Sequence, residues 1–266
     1  MREIILEEAK KIEFDILKNI ADFCEKNNLR YFLAYGTLIG AVRHSGFIPW
    51  DDDIDIWMPR EDYNRFKEIY YDENNVYKVV KPQDKISRHS FVKVIDTRTV
   101  KIEKSIDYKN GYLGIDVDVF PLDGQPLTES DYLEWYNKLQ KIYKRYQFLV
   151  IYNKGSLKRN IFLPIIKCLV GKKIWLLKKA ELLHKEYSYA ESEYIGTVES
   201  VYNSKNNRYK KEWFDKTVDV SFEGYSFKAP AGYDGILTAM YGDYMKLPPV
   251  EKQKIHHENN TFWLEN

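Results

Sequence analysis

Residues 35–63 read YGTLIGAVRHSGFIPWDDDIDIWMPREDY, and the run Trp50-Asp51-Asp52-Asp53-Ile54-Asp55-Ile56 within them decides the architecture. On a strand, side chains two apart share a face. A strand over DDDIDIWM, closed by Pro59, therefore sets Asp53 beside Asp55 and turns Ile54 and Ile56 to the other side. Two neighbouring carboxylates in a partly buried setting repel each other and are tolerated mainly when a divalent cation neutralises them. Asp51 and Asp52 fall in the preceding turn, where they cap or orient the pair.

Upstream, the apolar run RYFLAY (30–35) predicts a short strand ending at Gly36, followed by a turn and a brief helix over TLIGAVRHSG. Gly36 and Thr37 at such a turn offer backbone N–H groups and a hydroxyl to an anion. Downstream, Leu113 to Phe120 alternates Ile115, Val117 and Val119 with Asp116 and Asp118, which predicts another strand. Asp118 supplies a third oxygen ligand from this strand, and Asp116, on the same face, is the competing candidate. Three oxygen ligands with open positions suit Mg²⁺ chemistry on phosphoryl groups. Arg43, His44, Arg88 and Lys93 are cations around the same elements, and Lys93, on an apolar strand, is the one expected to reach a phosphate. The plainer alternative makes DDD a solvated loop and each cation a surface group.

Further out, residues 2–28 carry a helical apolar stripe of Ile5, Ile12, Ile16, Ile20 and Phe23. Residues 60–71 also read as a helix. Ser90–Asp96 and Val100–Lys104 read as the two strands of a hairpin around DTRT. Thr128, with Asp131 three residues on, opens a long helix reaching about Tyr152. Residues 157–187 are expected to be mostly helical with breaks near Pro164 and Gly171. Short strands follow near 195–201 and 217–228, then a helix over Tyr233–Tyr241. The pattern predicts an α/β (α+β) chain: a mixed-sheet catalytic core with an N-terminal helix over 1–125, and a helical elaboration with a C-terminal segment over 126–266 that completes the same domain.

Composition agrees with a globular enzyme-sized chain. In 266 residues, 44% are hydrophobic and 30% charged, which excludes a disordered tail or a low-complexity scaffold. A formal net charge of +1 gives no global field for nucleic acid. Cys24 and Cys168 form no disulfide framework, and reduced thiols point to the cytoplasm. The opening MREIILEEAKKIEF has no apolar leader core, so no secretory signal is expected. NIFLPIIKCLVG, broken by Pro164 and Lys167, is too short to span a membrane.

The 35–63 block resembles the signature of the LicD family, enzymes of nucleotidyltransferase fold similar to the fukutin-related transferases. The resemblance continues through FVKVIDTRT (91–99), IDVDVFPLDG (115–124) and AMYGDYMKLPPVEKQKIHHE (239–258). It implies a nucleotidyltransferase-like mixed sheet whose shared core is Gly36, Thr37, Asp53, Asp55 and Asp118. Asp53, Asp55 and Asp118 are then both catalytic residues and ligands of Mg²⁺ or Mn²⁺, while Gly36, Thr37, Arg43, Arg88 and Lys93 bind the nucleotide donor. Enzymes of this kind take phosphocholine from CDP-choline, place it on a hydroxyl of a cell-surface glycan of teichoic acid or lipopolysaccharide type, and release CMP. Relatives use CDP-activated ribitol or glycerol. Nucleotidyl transfer, or a non-catalytic glycan- or nucleotide-binding module, are the other readings.

His257, in the family tail beside Glu258, is a general base, a phosphate donor or a buried structural histidine, and a carboxylate of the site is the other base candidate. A quaternary ammonium is recognised by aromatic faces. Trp50, Trp57, Tyr35, Tyr112 and Phe120 stand in or beside the motifs as cage candidates. Between Lys154 and Lys185, nine Lys or Arg face one acid, Glu181, among apolar residues. Such a basic amphipathic surface suits peripheral contact with the inner face of a membrane near a lipid-linked acceptor, or a solvated helix pair covering the core.

Overall fold

The computed structural model describes residues 1–103, 113–150, 173–201, 203–254 and 259–264. In chain order the described elements are β1 (Arg2–Ile4), α1 (Leu6–Lys26), β2 (Phe32–Leu33), α2 (Tyr35–Ile39) with a π-helical turn over Gly40–His44, β3 (Asp55–Pro59) and α3 (Arg60–Ile69). Then come β4 (Tyr77–Val80), β5 (Val92–Asp96), β6 (Thr99–Glu103), β7 (Asp116–Gln125), α4 (Glu129–Val150) and α5 (Lys173–His184). The chain ends with β8 (Tyr194–Gly196), β9 (Tyr209–Lys210), β10 (Thr217–Phe222), β11 (Tyr225–Pro230), α6 (Tyr233–Tyr241) and β12 (Asn259–Trp263).

The fold is the expected mixed α/β type, built on a sheet of order β2-β3-β7-β5-β4 that β8 and β9 extend from the far end of β7. β3 and β7 run parallel, while β5 is antiparallel to β7. Helices α1 and α3 lie side by side, with the Phe23 and Phe66 rings 6.0 Å apart, and both pack on the sheet. Ile16, Leu17 and Ile20 of α1 are fully buried, each side chain contributing roughly 1.5–3 kcal/mol by leaving water. Helices α4 and α5 enclose a second apolar cluster around Tyr132, Trp135, Leu139, Tyr143 and Leu176. Thr128 caps α4 as its sequence suggests: its Oγ1 accepts from the Asp131 N–H at 3.2 Å and donates to the Asp131 carboxylate at 2.7 Å.

Several expectations are corrected. The first helix begins at Leu6, because residues 2–4 instead form β1 and pair with β12. Strands β5 and β6 are not a hairpin: β5 pairs with β4 and β7, and β6 pairs with β12. The segment 113–115 comes between them, Lys101 N–H bonding to the Leu113 carbonyl and Asp96 N–H to that of Ile115. Gly114 permits this approach, since a Cβ there would strike the Asp96 carbonyl. Residues 217–230 form a hairpin, β10–β11, with positive φ at Glu223 and Gly224 in its turn. The helix over Tyr233–Tyr241 stands where it was expected. Among the described residues no helix is long and apolar enough to cross a membrane. Cys168, Tyr112, His257 and the 154–172 part of the basic segment lie outside the described residues.

Candidate active site

Strand register assembles the site. Asp55 of β3 stands opposite Asp118 of β7, and Asp118 stands opposite Lys93 of β5, so the three form one row across adjacent strands. The next row on the same face is Trp57 and Phe120, with Phe91 just before β5 packed on Phe120 at 4.3 Å between ring centroids. A charged row thus borders an aromatic floor.

Asp53 precedes the regular ladder, which begins at Asp55, although the Ile54 carbonyl already accepts from the Asp118 N–H at 2.9 Å. It is half-buried and belongs to a group with Asp51 and Asp52 whose carboxylate oxygens all lie within 4.8 Å. The Asp51 carboxylate lies against Gly36, where a Cβ would collide with it. A side chain at 36 would push the Asp51 carboxylate aside, so glycine here leaves that carboxylate in place. Thr37 is buried, and its hydroxyl oxygen accepts from the Asp55 N–H at 2.9 Å. Its position therefore fixes the start of β3 and leaves the hydroxyl proton to donate elsewhere.

Charge is concentrated here. The Lys93 ammonium donates to both Asp116 and Asp118, and Lys101 donates to Asp116 at 3.2 Å. Burial works against the Asp116 carboxylate, yet Lys101 and Lys93 outweigh it and hold its pKa well below the usual range. Asp118 has one lysine and is pushed up to about 7 by burial, Lys93 pulling down and Asp116 pushing up. Burial and repulsion from Asp53 and Asp52 push Asp51 up to about 7. Asp55 is driven far above its ordinary value by burial first, then by Asp53, Asp118 and Asp51. Carboxyls that resist ionisation together are what a divalent cation relieves, and an all-oxygen donor set suits Mg²⁺ or Mn²⁺. An ion fits at Asp51, Asp52 and Asp53, which each bring one oxygen within 4.8 Å of the others, whereas Asp53, Asp55 and Asp118 do not reach that spacing as a set.

The remaining expected residues are placed less directly. The Arg43 guanidinium is engaged by the Tyr244 carbonyl at 2.5 Å and by His44 Nε2 at 2.9 Å, holding the chain after α6 against the Gly40–His44 turn. Arg88 sits half-buried before β5, and the Lys173 pKa is lowered to about 8 chiefly by burial, with Asp84 opposing and Arg88 adding a smaller push. Trp50 is half-buried with His44 edge-on at 6.4 Å. Trp57 is fully buried and is floor rather than wall, with Tyr35 edge-on at 4.9 Å. Tyr35 itself adopts positive φ, a conformation that L residues rarely take, and meets Phe120 at 5.5 Å.

Three groups were not foreseen as part of this site. Lys101 pairs with Asp116 from β6, a strand whose placement depends on distant partners. Glu13 of α1 is buried with its pKa driven up by burial, Lys101 opposing and Asp116 adding to the rise. Tyr241, at the end of α6, has its phenol pKa raised by burial and by the neighbouring Tyr35, Asp55, Asp51 and Asp53. The AMYGDY run that holds Tyr241 was the one signal in the sequence for it.

On the other face of the sheet lies a second group. Asp123, five residues beyond Asp118 on β7, points the opposite way. It meets His184 and Glu199 with ligand atoms within 4.8 Å of one another, close enough to hold a metal ion. Arg60 of α3 already fills this place, donating to both Asp123 oxygens at 2.5 Å and to Glu199 at 2.7 Å.

Comparison with known proteins places this arrangement. The LicD/FKTN/FKRP nucleotidyltransferase domain matches residues 28–154, which contain β2, β3, β5 and β7 and hence the whole charged row. The lipopolysaccharide cholinephosphotransferase LicD of Haemophilus influenzae is 32% identical over 272 residues, covering 99% of this chain and 100% of that protein. Two uncharacterized proteins, from Rickettsia typhi and Rickettsia prowazekii, are 45% and 43% identical over 56 residues, 21% of this chain and 18% and 21% of theirs. With a relative this similar from end to end, and Asp55, Asp118 and Lys93 aligned in one row within the matched domain, the chain belongs to the LicD family of transferases.

Proposed function

We propose that this enzyme transfers phosphocholine from CDP-choline to a hydroxyl of a cell-surface glycan, of lipopolysaccharide or teichoic acid type, and releases CMP. The observation that carries this reading is the full-length similarity to a cholinephosphotransferase. The Asp55–Asp118–Lys93 row supports it chemically, since it sets carboxylates and a cation that suit a diphosphate on one face of the sheet.

Asp53, Asp55 and Asp118 would draw together to hold Mg²⁺ or Mn²⁺, which when bound supplies electrostatic stabilisation to the diphosphate oxygens. Asp118 suits the third position better than Asp116, whose charge is committed to two lysines. Lys93, freed from Asp118 when that carboxylate takes another partner, turns to a phosphate oxygen. Gly36 and Thr37 fix Asp51 and Asp55 in the geometry the donor meets, and Arg43 and Arg88 stand as further donors to the nucleotide. The acceptor oxygen bonds to the phosphorus bearing choline, and the bond from that phosphorus to the oxygen of CMP breaks in line. The acceptor proton passes to a carboxylate of the cluster or to His257. Half-buried Tyr35 and Trp50 and the more exposed Tyr241 offer aromatic surface to a quaternary ammonium.

The test is a turnover assay with CDP-choline, CDP-ribitol, CDP-glycerol and CTP against a lipopolysaccharide acceptor, in Mg²⁺ and in EDTA. Metal-dependent CMP release with CDP-choline is expected. Preference for a CDP-polyol would replace the transferred alcohol, and pyrophosphate release from CTP would make the enzyme a nucleotidyltransferase.

A further inference from the structure

The Arg60 group borders a cavity of about 250 Å³ on the sheet face away from the aspartate row. Its floor is a closed set of charges. Asp123 takes two hydrogen bonds from Arg60 and lies 3.1 Å from His184 Nδ1. Glu199 accepts from Arg60 at 2.7 Å and from the Tyr143 hydroxyl at 2.8 Å. Burial opposes a charged His184, but Asp123 and Glu199 outweigh it and raise its pKa. Two carboxylates therefore face the Arg60 guanidinium and an imidazole whose protonated form they favour.

The lining also holds Glu61 and Glu181, the latter paired with Lys185 at 2.8 Å, which leaves Lys67 and one Arg60 nitrogen as the donors without a carboxylate of their own. Lys67, two turns along α3 from Arg60, also lines the cavity and is half-buried, and its amino group donates to Asn64 Oδ1 at 3.1 Å with no carboxylate within ion-pair distance among the described residues. Burial first and then the Arg60 charge depress the Lys67 pKa, against the smaller opposing pull of the Glu181 and Glu68 carboxylates. Among the described residues Nη1 of Arg60 has no hydrogen-bond partner, and the Arg60 side chain keeps 23% of its surface exposed. A metal ion would have to displace the guanidinium from both carboxylates. An anion would not, and it would answer two cations that now repel each other. Tyr187, Tyr189, Pro82 and Leu177 give the cavity apolar walls of a size for a sugar ring.

We propose that this cavity binds a phosphate-class oxyanion, free or carried on a sugar, between Nη1 of Arg60 and Nζ of Lys67. The site is independent of the aspartate row and of the reading given to it. Calorimetry of the metal-free protein in EDTA, with inorganic phosphate, glucose 6-phosphate and glucose as probes, tests it. Both phosphates are expected to bind one to one and glucose not at all. A tighter sugar phosphate assigns a role to the walls, and equal affinities assign recognition to the anion alone. Lys67→Met should weaken binding at least ~10-fold, the scale of one charge-assisted hydrogen bond, while Lys67→Arg restores most of it. Asp55→Asn should bind as the unaltered protein does. Absence of phosphate binding, unchanged binding by Lys67→Met, or its loss in Asp55→Asn would overturn the proposal.

Discussion

Asp55 shows how a single residue is held against its own preference. Its carboxyl is half-buried and surrounded by Asp51, Asp53 and Asp118, so that burial and repulsion both oppose its charge. Asp55→Asn should lower turnover by about 10³-fold or more and at the same time raise the melting temperature of the metal-free protein, because a neutral amide relieves the repulsion. About 1 kcal/mol of relief corresponds to roughly 2–4 °C at this chain length. A lowered melting temperature would mean that the neighbours stabilise this carboxylate. Thr37 makes a second residue-scale case. Thr37→Val keeps the shape but leaves the Asp55 N–H without its acceptor, which should cost about 1–3 kcal/mol by denaturant titration, and Thr37→Ser should restore most of it. These two positions were legible in the sequence because the pleat and the strand-to-helix turn are local. What Thr37 does was not: nothing in Gly-Thr spacing says that the hydroxyl accepts from a strand eighteen residues on.

At the scale of elements, the Arg60–Asp123–Glu199–His184–Tyr143 network fastens α3, β7, α5 and α4 to one another. Tyr143→Phe strips one donor from buried Glu199 and a partner from His184, and should cost about 1–3 kcal/mol. The pH dependence follows from His184, whose folded pKa is raised above its usual 6.5. Its contribution is fully present below 6.5 and is lost as pH rises through the folded value. The stability difference between the unaltered protein and His184→Gln should therefore shrink on going from acid to alkaline pH. A difference that grows with pH would contradict a protonated His184. No sequence pattern announced this network, because its members stand 63 and 139 positions apart and each reads as an ordinary helix or strand residue. Elements with strong periodicity, such as α1, α4 and α6, were legible. The sheet β1-β12-β6 was not, since Arg2 pairs with Trp263 and no local signal carries that distance.

In the whole molecule, one mixed sheet separates two chemistries. One face carries the carboxylates and the aromatic floor, and the other carries the Arg60–Asp123–Glu199–His184 ion network. Parallel pairing of β3 with β7 needs the long crossover through α3, β4, β5 and β6, which returns the chain to lay Asp118 beside Asp55. The motif spacing revealed which residues take part, and the register across the three strands, which makes them one site, came only with the fold. The most direct measurement is calorimetric binding of CDP-choline to the unaltered protein and to Asp55→Asn, each in Mg²⁺ and in EDTA. The charged row as a metal-dependent donor site predicts tight binding only for the unaltered protein in Mg²⁺, in preference to CDP-ribitol, CDP-glycerol and CTP; binding of equal strength in EDTA or by Asp55→Asn would contradict it.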